Sequence, residues 1–388
     1  MPRFALLLVL AACGGGGLAP DDDSFTIDVR STRFPVVFSD SGLLATVDEQ
    51  HAAYTYYYCQ AAVSNTAQTV FGFSTTLFDP YYVPCQAGPA FDAEDRVMQR
   101  GADTLAIGTS SGPWATYYLG AWGACGTTVL ADGTYVTCAG DDLVALSPQG
   151  PMVFRIGIGG AATLGLITDD HDTVFATVTR ADGTWHLVGV SATGSIVFDV
   201  PTGEPQDTLS LDNDGTVLIS AVTATGPAVQ VFDPTTGELL REVPLDKPSL
   251  SVLVAEDDDW VVTEIGLSTE GSLTGDDTLK RLRPDGEARW TRDGRSMGWP
   301  AIDDHQRLWV HADDEVHILN EGGGEVDAFF AWGSIASGPP VLHDGWYGAT
   351  WDGYARVVRL NDPNVHLART GWPREGGSNR NDGRRPTP

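Results

Sequence analysis

One unit recurs along this chain, and that recurrence constrains the fold more than any single residue does. An apolar residue precedes an Asp/Gly turn, an alternating strand and a second strand follow, and a Gly-containing turn leads into a third. Ala131-Asp132-Gly133-Thr134-Tyr135-Val136 leads to Leu143-Val144-Ala145-Leu146-Ser147-Pro148-Gln149-Gly150 and then Val153-Phe154-Arg155. Asp212-Asn213-Asp214-Gly215-Thr216-Val217-Leu218 leads to Val229-Gln230-Val231-Phe232-Asp233-Pro234-Thr235-Thr236-Gly237. Asp257-Asp258-Asp259-Trp260-Val261-Val262 leads to Leu279-Lys280-Arg281-Leu282-Arg283-Pro284-Asp285-Gly286. Weaker copies begin near Asp170, Asp304 and Asp344, so the openings at 132, 170, 214, 258, 304 and 344 lie 38 to 46 residues apart. A period of about 40 residues with roughly four short strands is the pattern of a propeller blade. Blurred copies at Ser39-Asp40-Ser41-Gly42 and at Gly101-Ala102-Asp103-Thr104 raise the total to seven or eight. The predicted fold is therefore an all-β, seven- or eight-bladed β-propeller over residues 24–365. A lone unit of this kind cannot bury its own faces, so the blades must stack to fold.

Composition agrees. The 388 residues include 45 Gly and 23 Pro spread along the chain, which suits many short strands joined by many turns. No long stretch carries apolar residues at the i, i+3, i+4, i+7 spacing of a helix. The net charge of −29 repels phosphate backbones and argues against a nucleic-acid partner.

The N-terminus carries an address. Met1-Pro2-Arg3, the apolar run Phe4 to Leu10 and the small residues Ala11-Ala12 have the form of a secretory signal, expected over 1–12. The run is too short to span a bilayer. Leu10-Ala11-Ala12-Cys13 resembles a bacterial lipobox, which implies acylation of Cys13 and a membrane attachment through that lipid. Residues 13–23, with Gly14 to Gly17 and Asp21 to Asp23, read as a flexible hydrated tether. Localisation in the cell envelope follows, at the outer membrane or cell surface rather than the inner membrane.

Four further cysteines, Cys59, Cys85, Cys125 and Cys138, suggest disulfides in an exported chain, with three connectivities open. Cys125 and Cys138 flank a predicted hairpin with an Asp132-Gly133 turn, which brings them into cross-strand reach. Cys59 with Cys85 follows by elimination. No C-x-x-C spacing supports a zinc ribbon or a thioredoxin-type site.

Val231-Phe232-Asp233-Pro234-Thr235-Thr236-Gly237-Glu238 and Leu282-Arg283-Pro284-Asp285-Gly286-Glu287-Ala288-Arg289-Trp290 resemble the PQQ-like repeat. The resemblance covers about residues 100–360, and the segment from Gly371-Trp372-Pro373 is similar to one common in such proteins. It implies a propeller, and a lipidated one is similar in architecture to the propeller lipoprotein of the outer-membrane barrel assembly machinery. Quinoprotein enzymes of this type need a Trp floor, a Ca²⁺ cage, an Asp base and typically an adjacent-Cys disulfide. This chain has no Cys-Cys pair, and only the repeat ending at Trp290 keeps Trp at the family position, against Phe154 and Leu240 in others. No cofactor, no metal and no catalytic residue is assigned.

Other patterns have ordinary readings. Gly108-Thr109-Ser110-Ser111-Gly112 matches G-x-S-x-G, but a nucleophile elbow needs a helix next, and Pro113-Trp114-Ala115 reads as turn then strand. Gly157-Ile158-Gly159-Gly160 mimics a dinucleotide loop and reads as a connection between blades. His305, His311 and His317, near Asp303, Asp304, Asp313 and Asp314, raise a divalent site against the default of surface turns. The Asp runs 212–214 and 257–259 lack the ligand ladder of a calcium loop. Tyr54, Tyr56, Tyr57, Tyr58, Tyr81, Tyr82, Tyr117 and Tyr118 read as blade packing, with a recognition face as the sharper alternative. Residues 366–388 form an Arg-rich tail. The functional expectation is a non-enzymatic envelope lipoprotein whose propeller scaffolds envelope proteins. The alternatives are glycan or small-ligand binding at the propeller mouth, and a degenerate quinoprotein dehydrogenase.

Lipid attachment is directly testable. Wild-type protein should partition into detergent, and Cys13→Ser should move to the aqueous phase of the exported fraction. Wild-type protein recovered wholly in the aqueous phase rejects the lipoprotein reading.

Overall fold

The computed structural model describes residues 90–369 apart from 102, 110–114, 124, 207–208, 268–273, 296, 313, 331–339 and 352–353, and, ahead of them, the backbone of strands at 25–27, 37–38, 43–52, 56–65 and 69–73. The described strands gather into eight antiparallel sheets, seven of four strands and one of five. No helix occurs among the described residues, and so none that is long and apolar enough to cross a membrane. In chain order the sheets occupy 37–73, 90–118, 127–157, 161–202, 204–244, 249–294, 301–330 and 341–359, numbered blades 1 to 8. Blade 5 divides its first strand into Glu204–Pro205 and Ser210–Leu211, both paired with Val217–Thr223. Blade 8 takes its outer strand from the other end of the chain: Phe25–Ile27 pairs with Tyr354–Arg359, Phe25 opposite Val357. The first strand of blade 1, Val37–Phe38, touches both Val341–His343 of blade 8 and Ala90–Phe91 of blade 2, which closes the ring. The molecule is an all-β propeller.

Burial separates the inner strands of each blade from the fourth. Second strands such as Tyr135–Ala139, Trp260–Glu264 and Leu308–Ala312 are buried at every position. Fourth strands such as Met152–Gly157 and Ala288–Gly294 contain no buried residue and lie at the rim. The core sits between blades. One cluster joins Phe175 and Leu187 of blade 4 to Leu218 and Val229 of blade 5 and Trp260 of blade 6. Another stacks Trp309 of blade 7 on Tyr347 of blade 8, ring centres 5.7 Å apart.

The openings at 132, 170, 214, 258, 304 and 344 all fall on the turn from first to second strand. In blades 2 to 7 that turn has one geometry, seen in the bond of the fourth residue's N–H to the first residue's carbonyl. The pairs are Asp95 to Asp92, Gly133 to Leu130, Asp172 to Asp169, Gly215 to Asp212, Asp258 to Ala255 and Gln306 to Asp303. Each donor residue has positive φ, from 58° at Asp95 to 91° at Gly215. The expected glycine holds this position only in blades 3 and 5; Asp, which tolerates left-handed backbone, takes it in three others. The blurred opening at Gly101 is corrected: it connects Val97–Arg100 to Thr104–Gly108, second strand to third, and the true opening of blade 2 is Asp92.

The first residue of this turn also ties blades together. Asp92 is buried; its Oδ1 accepts the backbone N–H of Glu94 and Arg96, and its Oδ2 accepts the Tyr135 hydroxyl of blade 3 at 2.7 Å. Burial, and the bond to Asp92, hold the Tyr135 phenol well above its usual range. Asp212 of blade 5 likewise accepts Trp260 Nε1 of blade 6 at 3.4 Å. Nearby, buried Arg100 donates to the carbonyls of Thr104 and Cys138, and burial pulls its guanidinium down to about 10.

A second seam runs nearer the rim. The turn from third to fourth strand carries a left-handed glycine, and a side chain of the preceding blade's fourth strand lies where its Cβ would be. Phe154 meets Gly194 at 2.6 Å, Phe198 meets Gly237 at 2.5 Å, Val243 meets Gly286 at 2.6 Å and Trp290 meets Gly323 at 2.7 Å; Tyr117 meets Gly150 in the same way. Trp290 adds a bond from Nε1 to the Glu321 carbonyl of blade 7. Strand register places Phe154, Phe198, Arg241, Trp290 and Asp327 at equivalent positions, so Arg241 and not Leu240 is the counterpart of Trp290. Arg241 instead covers the Trp260 ring at 5.2 Å.

The predicted hairpin is present: Thr127–Val129 pairs with Tyr135–Ala139. Cys125 and Cys138, 13 residues apart, have Cα atoms 5.8 Å apart and sulfurs at disulfide distance. The Cys59–Cys85 pairing and Cys13 lie outside the described residues.

Three measurements check the glycine seam and the cysteine pairings. Gly183 and Gly237 both have left-handed φ, but Gly183 has nothing within 4 Å of a built Cβ. Gly237→Ala should therefore lower urea stability by about 1–3 kcal/mol more than Gly183→Ala, the cost of overpacking against Phe198; equal losses reject the seam. Joint replacement of Cys125 and Cys138 by Ala should cost roughly 3 kcal/mol on the chain-entropy account and leave the fold intact. Non-reducing peptide mapping should link Cys125 to Cys138 and Cys59 to Cys85, and free thiols there reject those pairings.

Candidate functional site

The rim carries a repeated apolar feature. Met152-Val153, Ile196-Val197 and Leu239-Leu240 open the fourth strands of blades 3, 4 and 5, and each of the six side chains is 43% to 53% exposed. They follow the seam glycines Gly150, Gly194 and Gly237 at the same short interval. Opposite each pair the register shifts by a residue, at Ala145/Leu146, Gly189/Val190 and Val231/Phe232. A bulge at this point twists the edge away from a straight strand, which disfavours strand addition by another chain. The rim thus offers side chains rather than backbone to a partner. Blade 6 breaks the series with Ala288-Arg289 and blade 7 with Glu325-Val326. Sequence reasoning passed over these pairs, although two apolar residues after each turn glycine were visible.

A cleft of about 530 Å³ lies between blades 5 and 6. Pro244, at the end of the fourth strand of blade 5, and Leu245, Asp246 and Lys247, from the connection between the two blades, line it together with Glu264, Thr278, Lys280 and Asp293. Lys280 Nζ donates to Asp246 Oδ2 at 2.5 Å and to Glu264 Oε1 at 2.8 Å. Burial pulls the Lys280 ammonium down, but these two carboxylates outweigh it and raise it; the bond to Lys280 lowers Asp246. Glu264 is fully buried, and its second oxygen, Oε2, has no hydrogen-bond partner. Lys247 Nζ donates to the Asp276 carbonyl at 2.7 Å and to Thr278 Oγ1 at 3.2 Å.

The histidine series does not assemble. His305 is exposed beside Asp304, His311 is buried within Leu308–Ala312, and His317 Nδ1 pairs with Glu325 Oε2 at 2.9 Å. Asp303, Asp304 and His305 are the one trio of potential ligands that converges among the described residues. Asp303 is saturated, however: Oδ1 accepts the N–H of His305 and Arg307, and Oδ2 accepts Arg307 Nε and Trp309 Nε1. A carboxylate so occupied is no vacant ligand. In the Asp run 257–259, Asp259 accepts Arg281 Nε at 2.8 Å and Arg289 Nε at 2.5 Å, and Asp257 accepts Arg281 Nη2 at 2.8 Å. Burial works against the Asp257 carboxylate, and Arg281 then holds it below its usual range. In the run 212–214, Asp212 serves its turn and Trp260, while Asp214 accepts the Thr216 N–H. Both runs are fasteners.

The G-x-S-x-G segment falls between Thr104–Gly108 and Ala115–Tyr118, two strands of one sheet, and Ser110 and Ser111 lie outside the described residues. Gly157 to Gly160 joins Met152–Gly157 to Ala161–Thr168, blade 3 to blade 4, as read from the sequence. Tyr118 and Trp122 are exposed, Tyr117 is the seam residue over Gly150, and the side chains of the earlier tyrosines lie outside the described residues. Past blade 8 the chain still packs: Leu367 and Ala368 are buried and bond to the carbonyls of Leu342 and Ile302.

No protein-family profile matches the chain, and no curated protein does. Among solved structures it is similar to BamB from Moraxella catarrhalis, with TM-score 0.55 and 17% identity over 87% of this chain and 96% of that one. It is also similar to a catalytically inactive virginiamycin B lyase from Staphylococcus aureus with quinupristin, with TM-score 0.51 and 13% identity over 70% of this chain and 94% of that one. At these identities the likeness is one of fold: the chain is a β-propeller that resembles BamB, and the same architecture also carries a lyase.

Proposed function

We propose that this chain is an envelope lipoprotein, tethered through Cys13, whose propeller is a non-enzymatic scaffold for protein partners, with envelope-protein assembly as its setting. The observation that carries the reading is the set of exposed apolar pairs on three consecutive blades, Met152-Val153, Ile196-Val197 and Leu239-Leu240. Exposed apolar side chains repeated on a rigid frame favour a partner that covers them, since each buried pair removes apolar area from water. The lipobox-like start and the likeness in fold to BamB lean the same way.

The test is affinity capture from detergent-solubilised envelopes with wild type, a Val153→Asp/Val197→Asp/Leu240→Asp variant, and a control triple of Thr184→Asp, Thr235→Asp and Thr291→Asp. A stoichiometric protein held by wild type and control but lost from the apolar-pair variant is the expected result, with an affinity loss of at least about tenfold. Retention by all three, or retention on glycan resin with no protein partner, overturns the reading.

A further inference from the structure

We infer that Met152 is an oxidation-sensitive contact on the rim: a hydroperoxide converts its thioether to the sulfoxide and so weakens the hold of blade 3 on a partner. The inference rests on the scaffold reading, since it regulates the same apolar pairs, but the chemistry at Met152 is measurable without a partner. Six side chains make up the three pairs, and five of them, Val153, Ile196, Val197, Leu239 and Leu240, are pure hydrocarbon. Met152 brings the one sulfur to that surface, at 53% exposure.

Burial separates this sulfur from the others. Oxygen transfer requires the peroxide to reach a sulfur lone pair, so exposure decides which methionine reacts. Met98 is 1% exposed, in the core between blades 2 and 3, and Met297 is 4% exposed, in the core that joins blades 6 and 7. Cys125 and Cys138 face each other at disulfide distance. Among the described side chains, Met152 is therefore the one thioether open to solvent. Hydrogen peroxide is uncharged, so the net charge of −29 does not hold it off.

The thioether sulfur takes the terminal oxygen of the hydroperoxide as the O–O bond breaks. The remaining alkoxide takes a proton and leaves as an alcohol, or as water when the oxidant is hydrogen peroxide. Sulfur loses two electrons and the peroxide gains them. Two thiols reverse the step, becoming a disulfide as the sulfoxide oxygen leaves as water. The sulfoxide is polar and holds water, so it resists burial against an apolar partner. The fold does not depend on this side chain. The backbone at Met152 pairs opposite Leu146, and the Ser147 N–H closes the turn before it on the Pro151 carbonyl at 2.9 Å. Phe154, two residues on, carries the seam over Gly194. Oxidation thus alters the contact surface and leaves the blades stacked.

The test treats the full chain carrying Cys13→Ser, which has no thiol for a lipid at that position, with hydrogen peroxide and follows each methionine by peptide mapping. Met152 sulfoxide should form at least about tenfold faster than the sulfoxide of Met98 or Met297. Oxidised protein should elute earlier from a phenyl-substituted matrix, with its urea midpoint unchanged. Met152→Gln, polar and of similar length, should elute early without peroxide, and Met152→Leu should stay late with it. The protein captured from envelopes should bind the oxidised chain about three- to tenfold more weakly, and Met152→Leu should keep its affinity after the same treatment. Failure to capture any protein counts against the scaffold alone, and mapping and retention then decide this inference. Equal sulfoxide rates at the three methionines, an equal elution shift in Met152→Leu, a lowered urea midpoint on oxidation of Met152, or undiminished binding by the oxidised chain overturns it.

Discussion

A ring or branched side chain seated on a glycine holds consecutive blades in order, and the rest of the propeller depends on it. Phe154 on Gly194, Phe198 on Gly237 and Trp290 on Gly323 all use the space that a Cβ would fill. The glycine is therefore doubly constrained, by its left-handed backbone and by its neighbour's ring. Deeper in, Asp92 accepting Tyr135 and Asp212 accepting Trp260 fasten the same kind of joint with hydrogen bonds in a dry setting. Since both seams run between blades, the repeat has little stability of its own and the ring folds as a sum of interfaces.

Local chemistry was legible in the sequence, and pairing between blades was not. Each clear Asp/Gly opening marks a turn from first strand to second, because a tight turn is decided by a few adjacent residues. The hairpin that brings Cys125 to Cys138 was legible for the same reason. Gly101-Ala102-Asp103 reads out of phase because a glycine near an Asp looks alike in either turn of a blade. By simple spacing Leu240 reads as the counterpart of Trp290, but a bulge shifts the register by one residue at Val231/Phe232 and puts Arg241 there. The histidines at 305, 311 and 317 are evenly spaced along the chain, yet turns and strand pairing send them to exposed, buried and carboxylate-bonded surroundings.

The two surface features differ in how far the sequence revealed them. The apolar pairs sit in one strand each, so a careful count from the turn glycines would have found them. The cleft combines Asp246 from a connection, Glu264 at the end of one strand and Lys280 from the next, and only the sheet brings these together. Acidic runs misled in the opposite direction: Asp257 and Asp259 resemble ligands in sequence but are consumed by Arg281 and Arg289.

The strand Phe25–Ile27 has a mechanical consequence. It completes the outer edge of blade 8 with only three residues of pairing, and the chain before it leads back toward Cys13. Traction applied at the N-terminus therefore arrives first at this three-residue pairing, before it reaches any of the ring-on-glycine seams. That strand acts as a latch: it transmits small loads to the whole propeller, and under larger ones it peels away and leaves blade 8 open at its rim while the other blades stay stacked.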